Sequence, residues 1–311
     1  MTLPIEFRIP ASPTPPFYNR VRFFCAALRR LGGSYAEAPV KVCVGDHADI
    51  GKVRAETPWT ARYNVEWHGV PSKIFTDHWY YGTADYRYLL PEPAADLIVL
   101  ADADVAVVQP ILDDFTWMRC EQPCIAGHMA HFPPSFERPG DRQWQGEDLW
   151  PSLFRHFSIP WPESLYPYSM DLKGQWAPVP AYYNLGFVVL NRAALRIFSG
   201  RIFEAQDKMK ALFECFMRCQ IAVTLIAHSN GMRIKALPAI FNAANDIGHF
   251  QHNGVRVQDI KVIHYLRTEE MNRESFLSYG DRETFLDSPL QNPVNQLLQK
   301  VAREIMSGDS W

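Results

Sequence analysis

The chain has 311 residues, of which 47% are hydrophobic, 13% aromatic and 21% charged, and its 31 Lys and Arg against 34 Asp and Glu give a formal charge of -3. That is too apolar for a disordered chain, and no run supplies the uninterrupted apolar length of a membrane helix. With no global positive field to hold a polyanion, nucleic acid is not an expected partner, and the length suits one large or two small domains.

Ile5 to Ile9 reads as a first strand, preceded by nothing that resembles a secretory leader: Glu6 and Arg8 interrupt the apolar residues, and a cytoplasmic location is the expectation. A loop with Pro13, Pro15 and Pro16 leads into an amphipathic helix from about Tyr18 to Leu31, stopped by Gly32 and Gly33. Strands are expected at Pro39 to Gly45 and Tyr63 to Trp67, then a helix around Thr76 to Leu89 and a buried strand at Leu97 to Ala101. Strands alternating with helices imply a mainly parallel, doubly wound sheet, whose ligand sites gather at the carboxyl ends of the strands.

After a strand at Cys124 to Gly127 the regularity stops. Residues 131–183 hold nine of the 24 prolines and four of the nine tryptophans, too broken for regular structure and too aromatic for a linker. They are expected to pack as a lid or wall, with thickening of the core or an oligomer contact as the plainer alternative. The pattern resumes with a strand at Leu185 to Leu190, one long helical segment from about Ile202 to His228 and a short strand at Arg233 to Ala236. A last strand at Ile260 to Tyr265 precedes a helix near Val294 to Ile305. Cys25, Cys43, Cys120, Cys124, Cys215 and Cys219 sit among apolar neighbours and read as reduced, buried thiols; their two C-x-x-x-C spacings do not match the two-residue gaps of zinc knuckles.

The sharpest chemical signal is LIVLADADV, an apolar strand ending in Asp102 and Asp104. Residues two apart in extended backbone project to one side, and two carboxylates brought together there repel unless a cation lies between them. Such oxygen ligands suit Mg²⁺ or Mn²⁺, which complete their shells with phosphate oxygens. The plain alternative is a pair of solvated loop aspartates.

The run YRYLLPEPAADLIVLADADVAVVQPI resembles the donor-site segment of nucleotide-sugar glycosyltransferases of the A-type (GT-A) fold, most closely family 8, where an Arg-bearing helix leads into a strand ending in D-x-D. YYNLGFVVLNR (Tyr182 to Arg192) resembles the family's Asn-x-Gly strand, CQIAVTLIAHSNGMRIKALPAIFN (Cys219 to Asn242) its Asp-Gln helix with the following Leu-Pro and Asn, and VIHY (Val262 to Tyr265) its metal-binding histidine strand. The four occur in the family's order over residues 86–265. The resemblance implies a single α/β, Rossmann-like GT-A domain with a mainly parallel central sheet and an irregular aromatic, proline-rich insertion. Its parts would be a nucleotide-binding half (1–130), an acceptor-side lid (131–183) and a sugar and acceptor half (184–311).

It implies Asp104 and His264 as metal ligands, Asp102 on metal and ribose, and Arg87 near the nucleotide or its phosphates. Asn184, Gly186 and Gln220 would line the sugar pocket, Gly186 sparing room that a side chain would fill. The implied reaction is metal-dependent sugar transfer, with retention, from a nucleotide sugar (a UDP-sugar first) to a glycan, lipid or protein acceptor, using Mn²⁺ or Mg²⁺. Two departures stand out: Cys219 replaces the usual Asp before Gln220, and after His264 the chain reads YLRTEE without the family's Gly and Lys-Pro-Trp elements, leaving Arg267 to serve the diphosphate.

Lesser candidates are the H-x-x-H of His249 and His252, the loop residues His128 and His131, the sugar-stacking faces of Trp144, Trp150 and Trp176, and an acceptor-side base at Glu147 or Asp148. A dehalogenase-type phosphatase is disfavoured by Ala106 and by the motif's distance from the N-terminus. A nucleotidyltransferase lacks its basic, Gly-rich first loop, since Ile9 to Arg20 has neither Gly nor Lys. A non-catalytic nucleotide-sugar or glycan binder of the same fold is the remaining alternative, prompted by Cys219.

Overall fold

A computed structural model describes residues 5–135, 146, 148–272, 277–278 and 281–307. In chain order the elements are β1 (Ile5–Ala11), α1 (Pro15–Arg30), β2 (Val40–Val44), α2 (Ile50–Glu56), β3 (Val65–Gly69), α3 (Ser72–Tyr86), β4 (Leu97–Ala101), β5 (Val105–Val107), β6 (Cys124–Met129) and α4 (Leu149–His156). They continue with β7 (Tyr183–Asn191), α5 (Arg192–Leu212), α6 (Arg218–Ser229), β8 (Arg233–Leu237), β9 (Ala243–Ala244), α7 (Ile247–His252), β10 (Val262–His264), α8 (Asp281–Asp287) and α9 (Pro293–Met306).

The central sheet runs β3-β2-β1-β4-β7-β6-β8. All neighbours are parallel except β7, which is antiparallel to both β4 and β6. One reversed strand in seven is the mainly parallel sheet that the alternation of elements implies. Side chains alternate across it. In β4, Leu97, Val99 and Ala101 join one apolar layer with α1, β1, β2 and α9, while Ile98 and Leu100 join the opposite layer with α4, α5, α6 and the other face of β7.

A small second sheet, β5-β10-β9, sits beyond the end of β4. Its antiparallel β5–β10 pairing places His264 opposite Val105, one residue past Asp104. A buried ion cluster secures the other side of the site: Arg8 pairs with Glu6 at 2.7 Å and donates to the carbonyls of Arg87 and Pro91 at 2.8 and 2.9 Å, so β1 holds the backbone of the turn that carries Arg87.

Several expectations need correction. The segment from Ile202 to His228 is two helices, because Phe213 is extended (φ -159°, ψ 162°) and the chain re-enters helix only at Arg218. The helix expected over Thr76 to Leu89 is α3 plus a tighter turn over Arg87–Leu89, with an interruption at Trp79 (φ 54°, ψ -136°). The short elements α2, β5 and β9 were not anticipated. Within 131–183 the described part is mostly irregular but contains α4, whose Trp150 is buried, donates to the Tyr168 hydroxyl at 3.1 Å and packs on Tyr182. Trp150 is therefore core, not a sugar platform. Trp144 and Glu147 lie outside the described residues.

Candidate active site

β4 ends at Ala101, and the chain then turns across the end of β7, with the Asp102 amide donating to the Gly186 carbonyl at 3.0 Å. The turn presents Asp102 and Asp104, both half-buried, at the carboxyl edge of the sheet. From β10 comes His264. Its Tyr265 neighbour donates its amide to Asp104 O at 3.0 Å and its hydroxyl to Ala103 O at 3.2 Å, so the two loops are tied by backbone. Asp102, Asp104 and His264 thereby each offer a ligand atom within 4.8 Å of the others.

His264 Nε2 stands 3.4 Å from Asp104 Oδ1, and its Nδ1 is 3.0 Å from Asn242 Oδ1. Two carboxylates and an imidazole form a hard and borderline donor set that fits Mn²⁺, with Mg²⁺ favoured less by the nitrogen. Gly186 completes the cradle for a reason that differs from the expected one. A Cβ there would lie 2.3 Å from His264 Cε1 and 2.4 Å from Nδ1, so the space kept open is occupied by the imidazole ring. Asn184 turns back on its own strand, its Oδ1 accepting the Gly186 amide at 2.9 Å.

Arg87 is buried. Its guanidinium donates to Ala84 O at 2.7 Å and Ala101 O at 3.1 Å and lies 3.7 Å from Asp102 Oδ1, so it braces the start of the Asp-x-Asp turn. Arg267 pairs with Asp246 at 2.9 Å, and its amide donates to Asn245 Oδ1 at 2.8 Å.

Cys219 and Gln220 occupy the first turn of α6. Burial pushes the Cys219 thiol up, the carboxylates of Asp85 and Asp102 add to the effect, and Arg87 opposes it. Asp85, in α3, is a buried acid that sequence reasoning passed over: Gln206 Nε2 donates to it, and Arg218 Nε donates to Gln206 Oε1 at 2.7 Å. Burial lifts its carboxyl to about 7, against the pull of Gln206, Arg87 and Arg218.

No protein-family model matches the sequence, and no curated protein matches it. The folds do match. The galactosyltransferase LgtC, solved with donor and acceptor sugar analogues, aligns with a TM-score of 0.54 at 13% identity over 90% of this chain and 94% of that one. An active-site mutant of LgtC with a glutamine changed to glutamate aligns at 0.53 and 11%, covering 95% of each chain. The glycosyltransferase GlyE of Streptococcus pneumoniae aligns at 0.53 and 11% over 98% of this chain and 61% of that one. The chain has the GT-A fold.

Within this GT-A fold the lesser candidates fall in different places. His249 does not pair with His252, which is exposed, and instead joins His128 and His131 in a buried group. Asp148 is exposed at the start of α4. Cys120 and Cys124 lie 3.4 Å apart at their sulfurs, but among the described residues no cysteine belongs to a cluster of metal-ligating type.

Proposed function

We propose that the protein is a metal-dependent glycosyltransferase that moves a sugar from a nucleotide-sugar donor, a UDP-sugar first, to a glycan, lipid or protein acceptor, with retention at the anomeric carbon. The observation that carries this reading is the convergence of Asp102, Asp104 and His264 at the carboxyl edge of a GT-A sheet. The complex of LgtC with sugar analogues supports it at the level of fold. Retention rests on the family-8 motifs alone.

Asp102, Asp104 and His264 would hold Mn²⁺ or Mg²⁺, which when bound supplies positive charge for the diphosphate that leaves. The remaining work belongs to side chains. Arg87, locked to two carbonyls, keeps Asp102 from rotating away and adds positive potential behind it. Gln220 would face the sugar from α6, and an active-site glutamine in LgtC is consistent with a polar amide there. Cys219 next to it stays a neutral thiol at neutral pH, because burial and two acids disfavour the thiolate. Arg267 would reach a diphosphate only by loosening its pair with Asp246. The described part of 131–183, with its core-anchored α4, would wall the acceptor side and restrict water.

The test is a panel of nucleotide sugars screened by thermal stabilisation with and without Mn²⁺, followed by turnover of the best binder. A donor at a hundredfold its dissociation constant stabilises by about 2.7 kcal/mol. Absence of any cation-dependent shift across the panel would refute the reading, and binding without transfer or hydrolysis would make the chain a nucleotide-sugar binding protein.

A further inference from the structure

We propose that His128, His131 and His249 form a second metal site, built for a transition-metal ion that accepts imidazole nitrogen, zinc above all. The inference is independent of the glycosyltransferase reading. The three rings come from the end of β6, the loop after it and α7, and each offers a nitrogen within 4.8 Å of the other two. Their exposures are 4%, 8% and 0%.

The geometry favours an ion over a chance packing of aromatic rings. His128 Nδ1 lies 3.0 Å from the Leu237 carbonyl, which fixes the proton on that nitrogen and leaves Nε2 with its lone pair. That Nε2 faces His249 Nε2 at 3.2 Å. Two nitrogens at about 2.0–2.1 Å from a tetrahedral zinc are separated by about 3.3 Å, so the observed spacing fits two ligands of one ion as well as an N–H···N bond between the rings. A backbone carbonyl on the far nitrogen of a ligating histidine is also the usual way such a ring is oriented.

The group is otherwise poorly satisfied. His131 Nε2 is buried without a hydrogen-bond partner, a costly state for a polar atom.

The donor set separates this site from the one at Asp102. Three imidazoles and no carboxylate select zinc, copper or nickel, whereas the two aspartates favour hard oxygen-seeking cations. Three protein ligands leave one position for water. An ion there would staple the beginning of 131–183 to α7. That helix is capped by Asp246, whose Oδ1 accepts the His249 amide at 3.1 Å and whose Oδ2 pairs with Arg267. Zinc would therefore stiffen the element that positions Arg267.

The experiment uses the untagged full chain, stripped with chelator and carrying Asp104→Asn to disable the first site, titrated with Zn²⁺ and with Co²⁺ as a spectroscopic probe. The expected result is one tightly held zinc per chain and visible cobalt bands of tetrahedral intensity. Affinity should fall at least a hundredfold in His128→Gln or His249→Gln on the same background, with an unchanged circular-dichroism spectrum. X-ray absorption of the zinc-loaded Asp104→Asn chain should count three imidazoles, and this keeps the test decisive if a histidine variant does not fold. No zinc uptake by Asp104→Asn, full affinity in His249→Gln, or fewer than three imidazoles would overturn the proposal.

Discussion

Asn242 sets the proton of His264. The Asn242 Oδ1 accepts from His264 Nδ1 at 3.0 Å, so the lone pair of Nε2 is left facing Asp104 Oδ1 at 3.4 Å. Two electron-rich atoms at that distance call for a cation or a proton between them. Asn242 itself is fully buried and reaches the ring from the turn before β9, 22 residues away.

Removing the acceptor should therefore be felt at the metal. Asn242→Ala should weaken Mn²⁺-dependent nucleotide-sugar binding by about 10- to 100-fold, the usual scale for a group that orients a ligating histidine. Asn242→Asp, which keeps an acceptor, should restore most of it. Calorimetric titration of Mn²⁺ in the presence of UDP measures the difference. Equal affinities in all three proteins would remove Asn242 from the site.

Gly186→Ala tests the cradle. The new methyl would sit 2.3 Å from His264 Cε1, so either the ring or β7 must move, and overpacking of this kind costs about 1–3 kcal/mol. A lowered melting temperature with loss of metal-dependent binding is expected. Gly200→Ala is the control: it lies exposed in α5 with nothing within 4 Å of its would-be Cβ, and it should be neutral or stabilising by about 0.5–1 kcal/mol. A Gly186→Ala protein that behaves like the control contradicts the packing.

The convergence of Asp102, Asp104 and His264 was legible because its signals are local: an apolar run that ends in Asp-x-Asp, and a short apolar strand that ends in histidine. β4 matched its expected bounds because five consecutive buried residues leave no other reading. The division of α5 from α6 was hidden, since Phe213, Cys215 and Met217 continue the apolar pattern through the break. β5, three residues long, owes its existence to pairing with a strand some 150 residues later. The histidine group was only partly legible: both pairs have an H-x-x-H spacing, but only the packing of α7 near the end of β6 joins His249 to His128 and His131 and leaves His252 outside. Gly186 was noted as a space-maker, but its beneficiary, the His264 ring, depends on how β7 lies beside β10.

At α6 the two neighbours should separate in their effects. Cys219→Ala should keep sugar transfer or slow donor hydrolysis, since a neutral, half-buried thiol contributes packing and little polarity. Gln220→Ala should lose on the order of a hundredfold in rate, the typical effect of one positioned polar group. Steady-state rates for both variants decide. An inactive Cys219→Ala with an intact fold would assign the thiol a chemical role.

Asp85 should make stability depend on pH. Its folded-state carboxyl titrates at about 7 because burial outweighs the hydrogen bond from Gln206 and the charges of Arg87 and Arg218, against 3.8 for the ordinary side chain. Between those values the folded protein holds a proton that the unfolded chain has released. The associated stability is fully present at pH below about 4, is lost as pH rises towards 7 and stays lost above it. The difference corresponds to at most about 4 kcal/mol. Asp85→Asn retains an oxygen for Gln206 but carries no titrating proton, so its stability relative to the parent should grow from pH 5 to pH 8. Denaturant unfolding at the two pH values provides the comparison. A relative stability that stays flat over that interval would mean that Asp85 titrates below pH 5 in the folded protein and is an anion in the working protein.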